Sequence, residues 1–184
     1  MSLANSELSQ QGNQATIPAG AYDLRPVRPS DAGLMALYTG DLRVAQATSS
    51  IPHPLPPGTT EAFIARCMAE GRIEDAWTID GTRAGMGEVL GVISLTRLDI
   101  GQSEIGYWVA PMFWNSGVGS SAVAALIGAN PQGCRTIFAT VQQGNPASAR
   151  VLTNCGFLYL GDAESYCLAR AGTVPTWTYA RKLD

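Results

Sequence analysis

From Ser103 onward the chain alternates strand-like and helix-like stretches, and this alternation does most to restrict its fold. Ser103–Val109 reads as a strand, and the loop Asn115-Ser116-Gly117-Val118-Gly119-Ser120 then leads into a short alanine-rich helix, Ser121–Gly128. A turn at Asn130-Pro131-Gln132-Gly133 precedes an apolar strand, Thr136–Val141. A helix over Asn145–Cys155, a strand over Phe157–Leu160 and a last strand over Trp177–Lys182 complete the series. Strands interleaved with helices predict a mixed α/β sheet. The first half has a different rhythm. A short strand near Tyr22–Arg28 is followed by a helix-start signal at Ser30-Asp31, with Leu34, Leu37 and Tyr38 on one face. Thr59 and Thr60 open a helix through Phe63, Ile64, Cys67 and Met68. Ala76–Asp80, Glu88–Leu98 and Ser103–Val109 then read as an antiparallel meander, with a turn over Gly81–Gly87. Residues 1–20 are rich in Ser, Asn and Gln without periodicity, which predicts a loose arm ahead of one domain over residues 21–184. Residues 162–175 carry no clear pattern and can serve an acceptor pocket or a homodimer contact.

Composition narrows the function classes. The net charge is −3 and no Lys/Arg block occurs, which argues against a nucleic-acid partner held through phosphates. No apolar run reaches the roughly 18–20 residues of a membrane span, and the N-terminus lacks a basic-then-apolar signal. The expectation is a soluble, cytoplasmic protein. Cys67, Cys134, Cys155 and Cys167 are scattered, so neither a disulfide framework nor a metal site is expected. His53 is the only histidine, so any triad would have to use it.

Gly117-Val118-Gly119 stands between a strand and a helix, where glycines let the backbone approach a ligand and a helix N-terminus offers unpaired N–H groups to an anion. A tight turn that merely starts the helix fits the same spacing. A P-loop would need a lysine that the sequence lacks before Ser120-Ser121. Gly117-x-Gly119-x-x-Ala122 fits a dinucleotide loop, but that fold also needs an acid about 20 residues later. From Ile105 to Gly161 there is no Asp or Glu, only Arg135 and Arg150. An acid-free half suits a ligand bearing several phosphates, of which coenzyme A is one.

Three ordered motifs carry a resemblance: Glu104-Ile105-Gly106-Tyr107-Trp108-Val109, then Trp114-x-x-Gly117-x-Gly119, then Asn145-x-x-Ser148-x-x-Val151-Leu152-x-x-x-Gly156-Phe157. Together with the loop Ile51-Pro52-His53-Pro54-x-Pro56-x-Gly58, they resemble the GNAT acetyltransferases, in particular the branch of RimJ/RimL-type ribosomal-protein N-terminal acetyltransferases. The resemblance covers roughly residues 22–183. It implies an α+β fold with a central sheet of about six to seven strands flanked by helices. The first half would be antiparallel, and a splayed pair of strands would hold coenzyme A.

The resemblance also implies residue roles. Trp108 and Val109 would offer backbone groups to pantetheine, and the loop from Asn115, with the N–H groups of Ser116 through Ser120, would hold the pyrophosphate. Asn145 would hydrogen-bond the pantetheine arm, although before Pro146 it also reads as a helix N-cap. Ser148 would donate to the departing thiolate, because the tyrosine that many relatives carry one turn later is here Leu152. It also reads as a solvated serine in the first helical turn. Glu104 is the candidate base for the amine; its alternative is an exposed strand glutamate paired with Arg97. His53 would line the acceptor side, or simply sit in a shaped loop. Cys155 reads as packing rather than a nucleophile.

The implied activity is acetyl-CoA-dependent transfer to a primary amine, either a protein N-terminus or a small molecule, by direct attack and without metal. A non-catalytic acyl-CoA-binding or regulatory domain is the alternative, and a dinucleotide-binding enzyme is a third reading.

Overall fold

The computed structural model describes residues 14–184. The start of the expected arm lies outside the described residues, but its end does not behave as an arm. Ile17–Ala19 forms a strand, β1, with Ile17 and Ala19 buried, so the ordered chain begins earlier than Tyr22. The remaining strands are β2 (Tyr22–Pro26), β3 (Glu74–Asp80), β4 (Gly91–Asp99), β5 (Gln102–Val109), β6 (Thr136–Gln142), β7 (Leu158–Cys167) and β8 (Gly172–Lys182). The helices are α1 (Ala32–Thr39), α2 (Leu42–Ala45), α3 (Thr59–Met68), α4 (Val118–Ala129) and α5 (Pro146–Asn154).

Among the described residues, all strands join one sheet in the order β1-β2-β3-β4-β5-β6-β8-β7, eight rather than six to seven. The expected meander β3-β4-β5 is antiparallel. The one parallel pairing is β5 with β6, and the crossover between them passes through α4. The pattern-poor stretch 162–175 turns out to be the far half of a long β7–β8 hairpin, whose turn lies at 168–171. Its periodicity is weak because β7 is an edge strand exposed on both faces, so burial imposes no alternation.

The sheet is covered on both sides. Trp77, Ile79, Ile93, Leu95 and Ile105 face the apolar sides of α4 and α5, where Val123, Leu126 and Leu152 are fully buried. The neighbouring positions Ala76 and Val92 point to the other face and meet Met35, Ile64 and Cys67 of α1 and α3. In α1, Met35 is the buried apolar residue, and Leu37, expected on the core face, is 66% exposed. Near β2 a buried guanidinium ties three elements together. Arg25 donates to Asp31 through both terminal nitrogens (2.9 and 2.7 Å) and to Asp80 through Nε (2.7 Å), while Thr78 donates its hydroxyl to Asp31 (2.9 Å). Burial alone would raise the Asp31 pKa, but the hydrogen bonds from Arg25, the Arg28 N–H and Thr78 outweigh it and hold the carboxyl below its ordinary value. Among the described residues, no helix is long and apolar enough to cross a membrane.

Candidate active site

The site exists because β5 and β6 separate. They pair from Gln102–Ile105 against Thr136–Ala139 and no further, although β5 runs on to Val109 and β6 to Gln142. The far ends of both strands are held from outside, β5 by β4 through Val109 and β6 by β8 through Gln142. Gly91 makes the first of these contacts close, since a Cβ there would collide with the carbonyl of Trp108. The gap opens into a cavity of about 1000 Å³ that passes through the sheet from the α4/α5 face to the α1/α3 face.

On the α4/α5 side, the glycine loop is the first turn of the helix rather than a lead-in to it. α4 begins at Val118, three residues before the expected start. Gly117 has φ +81° at the N-cap, a left-handed conformation that favours glycine. The first intrahelical bond joins the Ser121 N–H to the Gly117 carbonyl (3.0 Å), so the N–H groups of Val118, Gly119 and Ser120 have no partner within the helix. Asn115, Gly117, Val118, Gly119 and Ser120 line the cavity. Val118 offers only backbone, because its side chain lies in the core. Ser116 is not in the lining; it is exposed and its hydroxyl donates to the Phe113 carbonyl. Three unpaired donors at a helix start, with no carboxylate in the surrounding stretch, suit the phosphates of coenzyme A.

Asn145 is the N-cap of α5, accepting the Ser148 N–H on Oδ1 (3.3 Å), with Pro146 at the first helical position. The cap uses only the oxygen, so the side-chain NH₂ stays available to a ligand and the two readings of Asn145 are compatible. Ser148, on the first turn of α5, faces β5. Its Oγ lies 2.7 Å from the Tyr107 hydroxyl, and its carbonyl lies 3.2 Å from the same group. Burial pushes the Tyr107 pKa up to about 12, so the phenol keeps its proton at neutral pH. Sequence reasoning passed over Tyr107. The signal available was parity: Ile105, Tyr107 and Val109 share one face of β5, the face covered by α4 and α5. Leu152, one turn beyond Ser148, is fully buried in the core.

Trp108 and Val109 both line the cavity. The Val109 carbonyl accepts the indole N–H of Trp114 (2.7 Å), and Trp108 points to the α1/α3 side, edge-on to Tyr38 with centroids 6.5 Å apart. Cys155 is half-buried, and burial raises its thiol pKa, which leaves it a packing residue beside α4.

On the α1/α3 side, Glu104 borders the gap two residues before Gly106. Burial raises its pKa and no partner counters the shift. Arg97, the alternative partner, binds Asp75 instead (2.8 Å), because Arg97 lies opposite Ser103 rather than Glu104. The proline-rich loop contributes Ile51, Pro52 and Leu55 to the cavity wall, but His53 is exposed and is not part of the lining.

The profile of the acetyltransferase (GNAT) domain matches residues 23–158. The chain belongs to this family. The fold is shared with RimL, a ribosomal L7/L12 alpha-N-protein acetyltransferase solved with coenzyme A (TM-score 0.79, 19% identity, 92% of this chain and 99% of that one). It is also shared with the microcin C7 self-immunity acetyltransferase MccE, solved with acetyl-CoA and AMP (TM-score 0.75, 16% identity, 88% of this chain and 92% of that one). A third neighbour is the Vibrio cholerae spermidine N-acetyltransferase, solved with CoA and spermine (TM-score 0.74, 12% identity, 88% of this chain and 95% of that one). No curated protein matches the sequence. At these identities the neighbours establish the fold, and the acceptor has to be argued from the cavity.

Proposed function

We propose that this protein is an acetyl-CoA-dependent N-acetyltransferase of the RimJ/RimL-like branch, acting on a primary amine of a protein N-terminus or a small molecule. The observation that carries the reading is the through-sheet gap between β5 and β6, with helix donors at one end, the Ser148–Tyr107 pair beside it and Glu104 on the opposite face. Two compartments joined by one opening let two substrates meet from opposite faces of a sheet.

The backbone N–H groups at the start of α4 hold the pyrophosphate, and the Asn145 amide and the β5 backbone at Trp108 and Val109 position the pantetheine arm. When bound, acetyl-CoA supplies an activated thioester at the gap. Glu104 accepts the proton that the acceptor ammonium must lose before it can attack, directly or through one water. Its raised pKa brings it nearer the working range of a base. The Ser148 hydroxyl donates a hydrogen bond where thiolate charge develops, and Tyr107 orients that donor. A phenol with a pKa of about 12 does not surrender its proton fully to a thiolate, so the pair stabilises charge while the proton lost by nitrogen completes the thiol. Thermal shift with acetyl-CoA, NAD and NADP tests the cosubstrate: stabilisation by acetyl-CoA supports the reading, and stabilisation by NAD alone refutes it.

A further inference from the structure

The α1/α3 side of the cavity carries more negative charge than one general base needs. Glu74 of β3 lies directly opposite Thr96 of β4, and Thr96 lies directly opposite Glu104 of β5. Residues in register across a sheet point to the same face. The three side chains therefore form a row, carboxylate–hydroxyl–carboxylate, and all three line the cavity. Among the described residues, neither glutamate takes part in a salt bridge, although nearby Asp75 is bound by both Arg72 (2.9 Å) and Arg97 (2.8 Å). Among the described residues, the only cation on this wall is Arg66, whose guanidinium lies over the Phe63 ring at 5.9 Å. The opposite compartment lies in the acid-free stretch, with Arg150 in its lining. Charge is thus divided by the sheet: a face for phosphates on one side and two uncompensated carboxylates on the other.

The spacing gives the second carboxylate a use. Neighbouring strands lie about 4.8 Å apart, so Glu74 and Glu104 stand roughly 10 Å apart. Resting on the transferase reading above, we propose that Glu74 is a specificity residue that binds a second cationic group of the acceptor. The acceptor class is a primary amine carrying another positive charge roughly 10 Å from the reacting nitrogen. The reacting amine sits at Glu104 beside the gap, and the second cation sits two strands away at Glu74 with Thr96 between them. A small diamine and a peptide N-terminus followed by a basic side chain share this chemistry.

The test compares kcat/KM for diaminooctane against octylamine, and for short peptides that differ only in Lys or Gln near the N-terminus. In at least one pair the dication is favoured roughly tenfold, through KM, as expected for a partly desolvated ion pair. Glu74→Gln brings the ratio to about one and Glu74→Lys reverses it, both read against melting curves that establish folding. The same ratios are measured by calorimetry on the complex with CoA, which needs no turnover. Equal ratios in wild type for both pairs, or a preference that survives Glu74→Gln, overturn the proposal. A calorimetric preference without acetylation of any amine leaves the second-cation subsite standing and removes the transferase reading. Acetylation without preference does the reverse.

Discussion

Replacing Ser148 by Ala probes the least familiar part of the site. The substitution removes the Oγ that lies 2.7 Å from the Tyr107 hydroxyl. It does not orphan the phenol, because the Ser148 carbonyl lies 3.2 Å away and still accepts. The stability cost is therefore about 1 kcal/mol, the worth of one hydrogen bond with its partner re-satisfied. The catalytic cost is larger, since the lost donor faces charge that develops only in the transition state. Removal of one such donor elsewhere lowers kcat by roughly a hundredfold or more, near 2.7 kcal/mol. Single-turnover thiol release at saturating acetyl-CoA reads this step without interference from product release, and the KM for acetyl-CoA should stay within about twofold. Tyr107→Phe should lower the same rate, because it acts through Ser148. The double variant should then be no slower than Ser148→Ala alone, since groups that act as a unit are not additive. An unchanged single-turnover rate in Ser148→Ala, or multiplicative losses in the double variant, would refute the relay.

Three further substitutions test the geometry. In Glu104→Gln the rate below neutral pH falls and the pH profile flattens, as seen in kcat/KM from pH 5 to 9; a profile that keeps its wild-type shape removes Glu104 as base. The same variant reports on stability. The folded pKa of Glu104 lies above its unfolded value, so the unfolded chain ionises first and native stability declines as pH rises from the ordinary carboxyl range to the raised value. Glu104→Gln should accordingly gain in Tm relative to wild type at pH 7 and not at pH 4. Asp31→Ala, which leaves Arg25 buried with Asp80 alone, should cost about 3–5 kcal/mol in urea denaturation, and a loss under about 1 kcal/mol would show the cluster to be incidental. Gly117→Ala forces φ +81° on a residue with a Cβ, but that Cβ would meet nothing within 4 Å. A modest stability loss of about 1–2 kcal/mol is expected, with weaker CoA binding by calorimetry.

The parts of this protein legible in its sequence are those where one physical demand dominates. The alternation after Ser103 placed the mixed sheet, and the acid-free stretch beside Gly117 and Gly119 marked the face suited to phosphates. Asn145 before Pro146 gave the start of α5 correctly because capping chemistry is local. What was missed depends on contacts between distant segments. Tyr107 becomes notable only once α5 places Ser148 against it, 41 residues away in the chain. Glu74 acquires meaning only through two strand registers. β7 has no buried face to impose a pattern, so most of the hairpin stayed hidden. His53 drew attention as the sole histidine, yet its loop turns it outward and sends Ile51, Pro52 and Leu55 to the cavity instead.

Acetyl transfer through the gap between β5 and β6 has a direct readout. It is tested most directly by mixing the protein with acetyl-CoA and a panel of peptide N-termini, diamines and monoamines, then measuring free thiol and the mass of each amine together. Thiol release should be matched mole for mole by an acetylated amine, in wild type and far more slowly in Ser148→Ala. Tight CoA binding with no acetylated product from any amine would contradict it and leave an acyl-CoA-binding domain in its place.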